Sequence, residues 1–171
     1  LVYSSSTTQT ALARTGLREY AAHPLLTTVG VDRSFYAPMP IEDLRAYAEQ
    51  LPNGFRCCFK APSAVTSVTL SPRGTFVKNP DFMSVDRLVD DLLKPCAAVF
   101  RDHTGPIILE FSPFPRGISV EPSEFTTRLE QFVAALGQLL DALEQDGSLA
   151  EGWVHVRIDS VSPTITGDIV G

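Results

Sequence analysis

The sequence predicts an α/β fold of the TIM-barrel-like (β/α) type, with about four parallel strands and covering helices in a single domain, residues 1–171. Three observations predict it. Helical and extended patterns alternate strictly along the chain, as βαβ units and a parallel sheet require. One face of every strand is apolar, which suits covering helices. The other face turns polar toward each strand's C-terminal end, where a (β/α) barrel carries its site.

The opening LVYSSSTTQTA is polar, aperiodic and read as a loop. In TALARTGLREYAAHP, Leu12, Leu17, Tyr20 and Ala21 recur near helical spacing, and Pro24 stops the helix. LLTTVGVDRSFYAPMP is a strand leading into a loop. IEDLRAYAEQLP is a second helix, with Ile41, Leu44, Ala48 and Leu51 on one face and acids in the first turn, where the helix dipole favours them. Asn53-Gly54 signals a turn before the strand FRCCFKAP. Residues 63–80 read as a long loop.

DFMSVDRLVDDLLKPCAAVFRDH is helical, with a break expected at Pro95 and with Asp90-Asp91 on a solvated face. GPIILEFSP is a short buried strand and FPRGISVEP a loop. SEFTTRLEQFVAALGQLLDALEQDG is a long amphipathic helix, capped by Ser123 and stopped by Gly147. Its apolar stripe is Phe125, Leu129, Phe132, Leu136, Leu139 and Leu143. GWVHVRID is the fourth strand, and the tail SVSPTITGDIVG carries no assignment.

At 44% hydrophobic and 20% charged, the composition is that of a globular domain. A net charge of -6 argues against a general nucleic-acid or membrane-surface binder, while leaving room for a local basic pocket. No apolar run approaches the roughly 18 residues of a membrane span, and no charged n-region followed by an apolar h-region is visible, so no signal peptide is expected. Cys57, Cys58 and Cys96 are odd in number, and two are neighbours in a strand, where side chains point apart. Free thiols in a reducing, cytoplasmic setting are expected.

Alternation defines the candidate site. Phe55, Cys57 and Phe59 share one face, and Arg56, Cys58 and Lys60 the other. Exposing the phenylalanines would forfeit about 1.5–3 kcal/mol each, so they face the helices and Lys60 points into the lumen. The same rule sends Asp32, Glu110 and Arg157 inward from the other strands. Two readings are open. The four groups form an ion network that only closes the barrel end, or they form a ligand site for a small anionic, sugar-like (polyhydroxylated) or nucleic-acid phosphate substrate. In the second, the candidate catalytic residues are Asp32, Lys60 and Glu110, with either carboxyl as general acid or base.

The candidate substrate-binding residues are Tyr36, His155 and Arg157. Tyr36 lies just past the first strand, where it stacks on a ligand or simply packs. His155 is a ligand contact or a structural histidine. His23, His103 and His155 lie on separate elements, so no metal site is read, although the acids would permit a divalent cation. No Gly-rich phosphate loop, HExxH or G-x-S-x-G elbow is present, and no cofactor is assigned. The competing function class is a non-catalytic binding or interaction module; whether the chain is an enzyme, and its oligomeric state, stay open.

LREYAAHPLLTTVGVDRSFYAPMP, LPNGFRCCFKAPSAVT and GPIILEFSP, in that order, resemble the YecE-like family, domain of unknown function 72. Its members carry Tyr-Tyr-Ala in a helix and a strand like Val-Glu-Ile-Asn-Ser-Thr-Phe-Tyr. Phe-Lys-Ala-Pro follows a Pro-x-Gly-Phe turn, then comes Gly-Pro-x-Leu-x-Gln-x-Pro-Pro, and usually Glu-x-Arg. The resemblance runs from about residue 11 to 159. Phe35, Tyr36, Lys60, Ala61, Pro62 and Arg157 match. Gly30 stands in place of glutamate, Asp32 of asparagine, Glu110 of glutamine, Ser112-Pro113 of Pro-Pro, and His155 of glutamate. The resemblance implies a TIM-barrel-like fold and no particular reaction. A full (β/α)₈ barrel takes about 250 residues, so four strands are expected to make part of one.

Overall fold

The structure, a computed structural model, describes residues 8–71, 74–111, 120–145 and 156–160. Helix α1 (Gln9–Ala21) comes first, its opening turn closed by the Thr8 hydroxyl, which accepts from the Ala11 N–H at 3.2 Å. Strand β1 (Thr28–Val31) leads into a single helical turn, α2 (Arg33–Tyr36), and then helix α3 (Ile41–Ala48). Gly54 turns the chain with φ at 81°, the left-handed conformation that an Asn-Gly turn needs. Strand β2 (Arg56–Lys60) follows, then α4 (Ser63–Thr66) and the short strands β3 (Thr69–Leu70) and β4 (Val77–Lys78). After them come α5 (Val85–Leu88), α6 (Lys94–Val99), β5 (Thr104–Phe111), α7 (Pro122–Gln145) and β6 (Val156–Ser160).

Four strands make one sheet in the order β1-β2-β5-β6, and every neighbouring pair is parallel. Parallel neighbours need long crossovers, which the intervening helices supply. β3 and β4 form a separate antiparallel hairpin. The fold is therefore mixed α/β, with the expected parallel pairing.

The strand faces divide as alternation requires. Cys57 and Phe59 are fully buried, as are Ile107 and Leu109 on β5, and Phe111 is nearly so. They pack with Leu44 of α3, Leu88 of α5, Cys96 of α6, and Phe125, Phe132 and Leu136 of α7. Phe59 and Phe100 meet edge to face at 5.5 Å, the geometry that aromatic quadrupoles favour. The intervening residues, Cys58, Lys60, Ile108 and Glu110, are only half-buried. All three cysteines are free thiols, and burial pushes Cys57 and Cys96 up to about 12. No helix among the described residues is long and apolar enough to cross a membrane.

Several local expectations are corrected. The loop expected at 63–80 holds α4 and the β3–β4 hairpin. Buried Asn79 organises it, donating its amide to the Ala64 and Ser67 carbonyls, each at 2.7 Å, and accepting from the Asp81 N–H at 3.0 Å. Two-residue strands are too short to show alternation. RSFY is a helical turn rather than loop, for the same reason of length.

Pro95 does not break its helix. A π turn (Val89–Leu93) joins α5 to α6, and the Lys94 N–H reaches back to the Val89 carbonyl. Proline lacks the N–H for an ordinary helical bond and crowds the carbonyl four residues back, and the wider turn accommodates both. Asp91 is largely covered by its 2.7 Å pair with Arg87, while Asp90 stays exposed and pairs with Lys94 at 2.6 Å.

α7 starts at Pro122, so Ser123 lies inside its first turn instead of capping it. Leu140 packs on the core from the last third of that helix, and Leu139 is half-buried. Ile41 is exposed at the start of α3, and Tyr47 packs on the core from that helix. The opening loop through Thr7, Ser112-Pro113, Gly147, Val154, His155 and the tail after Ser160 lie outside the described residues, as do the side chains of Leu12 and of β6.

Candidate functional site

The site is assembled where β1, β2 and β5 end. Asp32 follows β1 directly, Lys60 is the last residue of β2, and Glu110 is the next-to-last of β5. The Lys60 ammonium lies 2.8 Å from Glu110 Oε2 and 3.4 Å from Asp32 Oδ1. One cation therefore bridges carboxylates from two other segments. Lys60 and Glu110 are each about a quarter exposed, at 28% and 27%, and Asp32 is 69% exposed. Asp32 precedes α2 but makes no capping bond with its side chain, which leaves the carboxylate free to turn to Lys60.

Glu110 reaches Lys60 because of an irregularity in β5. Cys57 is in register with Thr104, but Phe59 is in register with Ile107, so β5 takes three steps where β2 takes two. This bulge falls on Gly105-Pro106. A side chain on Gly105 would meet the Cys57 carbonyl oxygen at 2.9 Å, so only glycine fits so close a backbone approach. Proline suits such a position because it has no N–H to give the ladder. Without the extra residue, Lys60 would face Ile107, and Glu110 would fall on the opposite side of the sheet, since a one-residue slip inverts every side chain.

A second device holds the end of β2. The Ser34 hydroxyl is buried and lies 2.8 Å from the Val31 carbonyl and 2.7 Å from the Lys60 carbonyl, so its single proton is shared between the ends of β1 and β2. Sequence reasoning missed Ser34 as a positioning residue. A lone hydroxyl residue three places after a strand end is too weak a pattern to signal that role. The Ala61 N–H continues the ladder to the Ile108 carbonyl at 2.9 Å.

The electrostatics favour a permanently charged lysine. The Glu110 hydrogen bond is the largest influence and, with Asp32, holds the Lys60 ammonium above its ordinary 10.5, against the opposing effect of burial. Lys60 is thus a cation and hydrogen-bond donor at neutral pH, not a base or an amine nucleophile. The nearby Arg33 is taken up by Asp43 at 2.7 Å.

The remaining sequence candidates are less closely tied to this trio. Tyr36 sits at the same end of the sheet on α2 with 80% exposure, in edge-to-face contact with Phe35 at 5.3 Å. It is a free aromatic face rather than core packing. Arg157 lies in β6, its Cα in register with Ile108, which is itself in register with Lys60; Asp159 is in register with Glu110. His155 lies outside the described residues. Among the described residues no three His, Cys, Asp or Glu are grouped to hold a metal ion. Asp32 and Glu110 supply two carboxylates only.

A cavity of about 240 Å³ runs along β1 between α1 and α3, lined in part by Tyr20, Gly30, Tyr47 and Gln50. It reaches Asp32 but neither Lys60 nor Glu110, so it is not the cleft of the trio.

A model of the family described as protein of unknown function DUF72 matches residues 2–146. Two crystal structures of a DUF72 family protein from Enterococcus faecalis V583 are similar to the chain. The one at 2.52 Å resolution is 18% identical over 67% of this chain and 41% of that one, with a TM-score of 0.45. The one at 3.10 Å is 19% identical over 70% of this chain and 41% of that one, with the same TM-score of 0.45. The chain spans 41% of the length of those solved chains. No curated protein matches it.

Proposed function

The chain belongs to the DUF72 family, and from that premise we propose that the strand ends carry a ligand-binding site with acid–base capacity, set in part of a TIM-barrel-like (β/α) fold. The observation that carries this reading is the Asp32–Lys60–Glu110 trio, contributed by three separate strand ends and left partly open to solvent. The opening to solvent gives a ligand access to all three groups, which an ion network that only closed a barrel end would not require. In this reading Lys60 holds and orients the two carboxylates. Either carboxyl then takes or gives a proton at a bound substrate. Tyr36 offers an aromatic face at the edge, and Arg157 adds a cation from β6. Three free cysteines fit a reducing compartment.

The competing reading, a structural ion network in a binding or interaction module, draws on the fact that both carboxylates already have a partner. A thermal-shift screen separates the two. The chain and its Lys60→Met variant are melted against phosphosugars, neutral sugars, nucleotides and divalent ions. At least one compound should raise the melting temperature of the parent chain and leave the variant unmoved. No shift with any compound, or equal shifts in both proteins, would overturn the site. Should Lys60→Met fail to fold, Glu110→Gln carries the same comparison.

A further inference from the structure

We infer that this site selects an uncharged, hydroxyl-rich ligand over its phosphorylated or amino-bearing counterpart. The inference rests on the ligand-site reading above and narrows its substrate class. It starts from the charge at the strand ends. Asp32 and Glu110 flank Lys60, at 3.4 and 2.8 Å from its ammonium. The trio holds two acids to one base. Arg33 adds nothing to the balance, because Asp43 holds it at 2.7 Å. An anionic ligand therefore meets a net negative charge, and its cation is already engaged on two sides.

A cationic ligand is drawn by that net charge, but it would sit beside the Lys60 ammonium and has no lone pair to offer it. Hydrogen-bond inventory points the same way. An ionised carboxylate only accepts, and an ammonium only donates, with three N–H groups. Two of those on Lys60 are directed at Glu110 and Asp32, and one is left. A hydroxyl both donates and accepts, so a pair of neighbouring hydroxyls satisfies a carboxylate oxygen and the remaining lysine N–H together. Phosphate has no proton to give the carboxylates, and an ammonium no lone pair to offer the lysine. The exposed ring of Tyr36 at the same end of the sheet supplies a flat apolar face, which suits the C–H face of a sugar ring.

The test is equilibrium binding to the full chain by ligand-observed NMR, using glucose, glucose 6-phosphate and glucosamine, with ribose and ribose 5-phosphate as a second set. A neutral sugar should bind more tightly than its charged counterparts. Glu110→Gln should weaken it about tenfold or more, since a hydrogen bond to a charged group is lost. Tyr36→Ala changes an exposed side chain that does not hold the fold, and should weaken binding less. If Glu110→Gln does not fold, Asp32→Asn replaces it. A phosphorylated or amino sugar binding more tightly than its neutral parent would refute the inference and leave the ligand site standing. Binding undiminished in the Glu110 variant would refute it too. Failure of every probe to bind would remove the inference and the site reading together.

Discussion

Replacing Phe59 with alanine is expected to cost about 3–5 kcal/mol of folding stability. The ring is fully buried at the centre of the helix-covered face and packs edge to face on Phe100. Cys57 and Leu109, its neighbours on that face, are equally inaccessible, so the vacated volume has no mobile side chain to refill it. The cost combines lost transfer energy with a cavity that close packing resists closing. Denaturant unfolding with an unchanged slope would measure it. A loss under about 1 kcal/mol would place the ring at a yielding surface site. The facing of β2 would then be wrong, and Lys60 would no longer point to Asp32 and Glu110.

Gly105→Ala is the second large effect, and it links the fold to the site. The added methyl would sit 2.9 Å from the Cys57 carbonyl oxygen and 3.3 Å from the Arg56 Cβ, both in the neighbouring strand. Backbone cannot swing away as a flexible side-chain end would, so β2 and β5 must separate or slip. Overpacking of this kind costs about 1–3 kcal/mol. A slip that removed the bulge would also carry Glu110 to the opposite face. The variant should therefore lose both stability and any ligand response that depends on Glu110. Wild-type stability in chemical denaturation would mean that the strands do not approach so closely at this point.

Where the sequence carried long periodic signals, the fold could be read from it. The face of Phe55, Cys57 and Phe59, and that of Ile107, Leu109 and Phe111, follow from alternation over several residues. They place Lys60 and Glu110 together on the other side, and Asp32 completes the trio where β1 ends. What escaped was local or non-periodic. The hairpin at 69–78 is built from two-residue strands and held by a buried asparagine rather than by an apolar pattern. The π turn before Pro95 answers a backbone need that leaves the amphipathic stripe intact. The Gly105-Pro106 bulge was marked only by two residues that strand interiors avoid, and its consequence for Glu110 depends on register with β2, which a single strand's pattern does not contain. Ser34 acts through two carbonyls, and a lone serine carries no mark of that.

The central claim is that Lys60 is held between Glu110 and Asp32, and the titration of its ammonium tests that claim most directly. Lysine side-chain carbon and nitrogen shifts, followed by NMR into the alkaline range, report it one residue at a time. Lys60 should titrate above the ordinary 10.5, and Glu110→Gln should lower its pKa more than Asp32→Asn does, because the Glu110 hydrogen bond is the larger influence. A Lys60 pKa at or below the ordinary value, unmoved by either substitution, would contradict the trio and the site built on it.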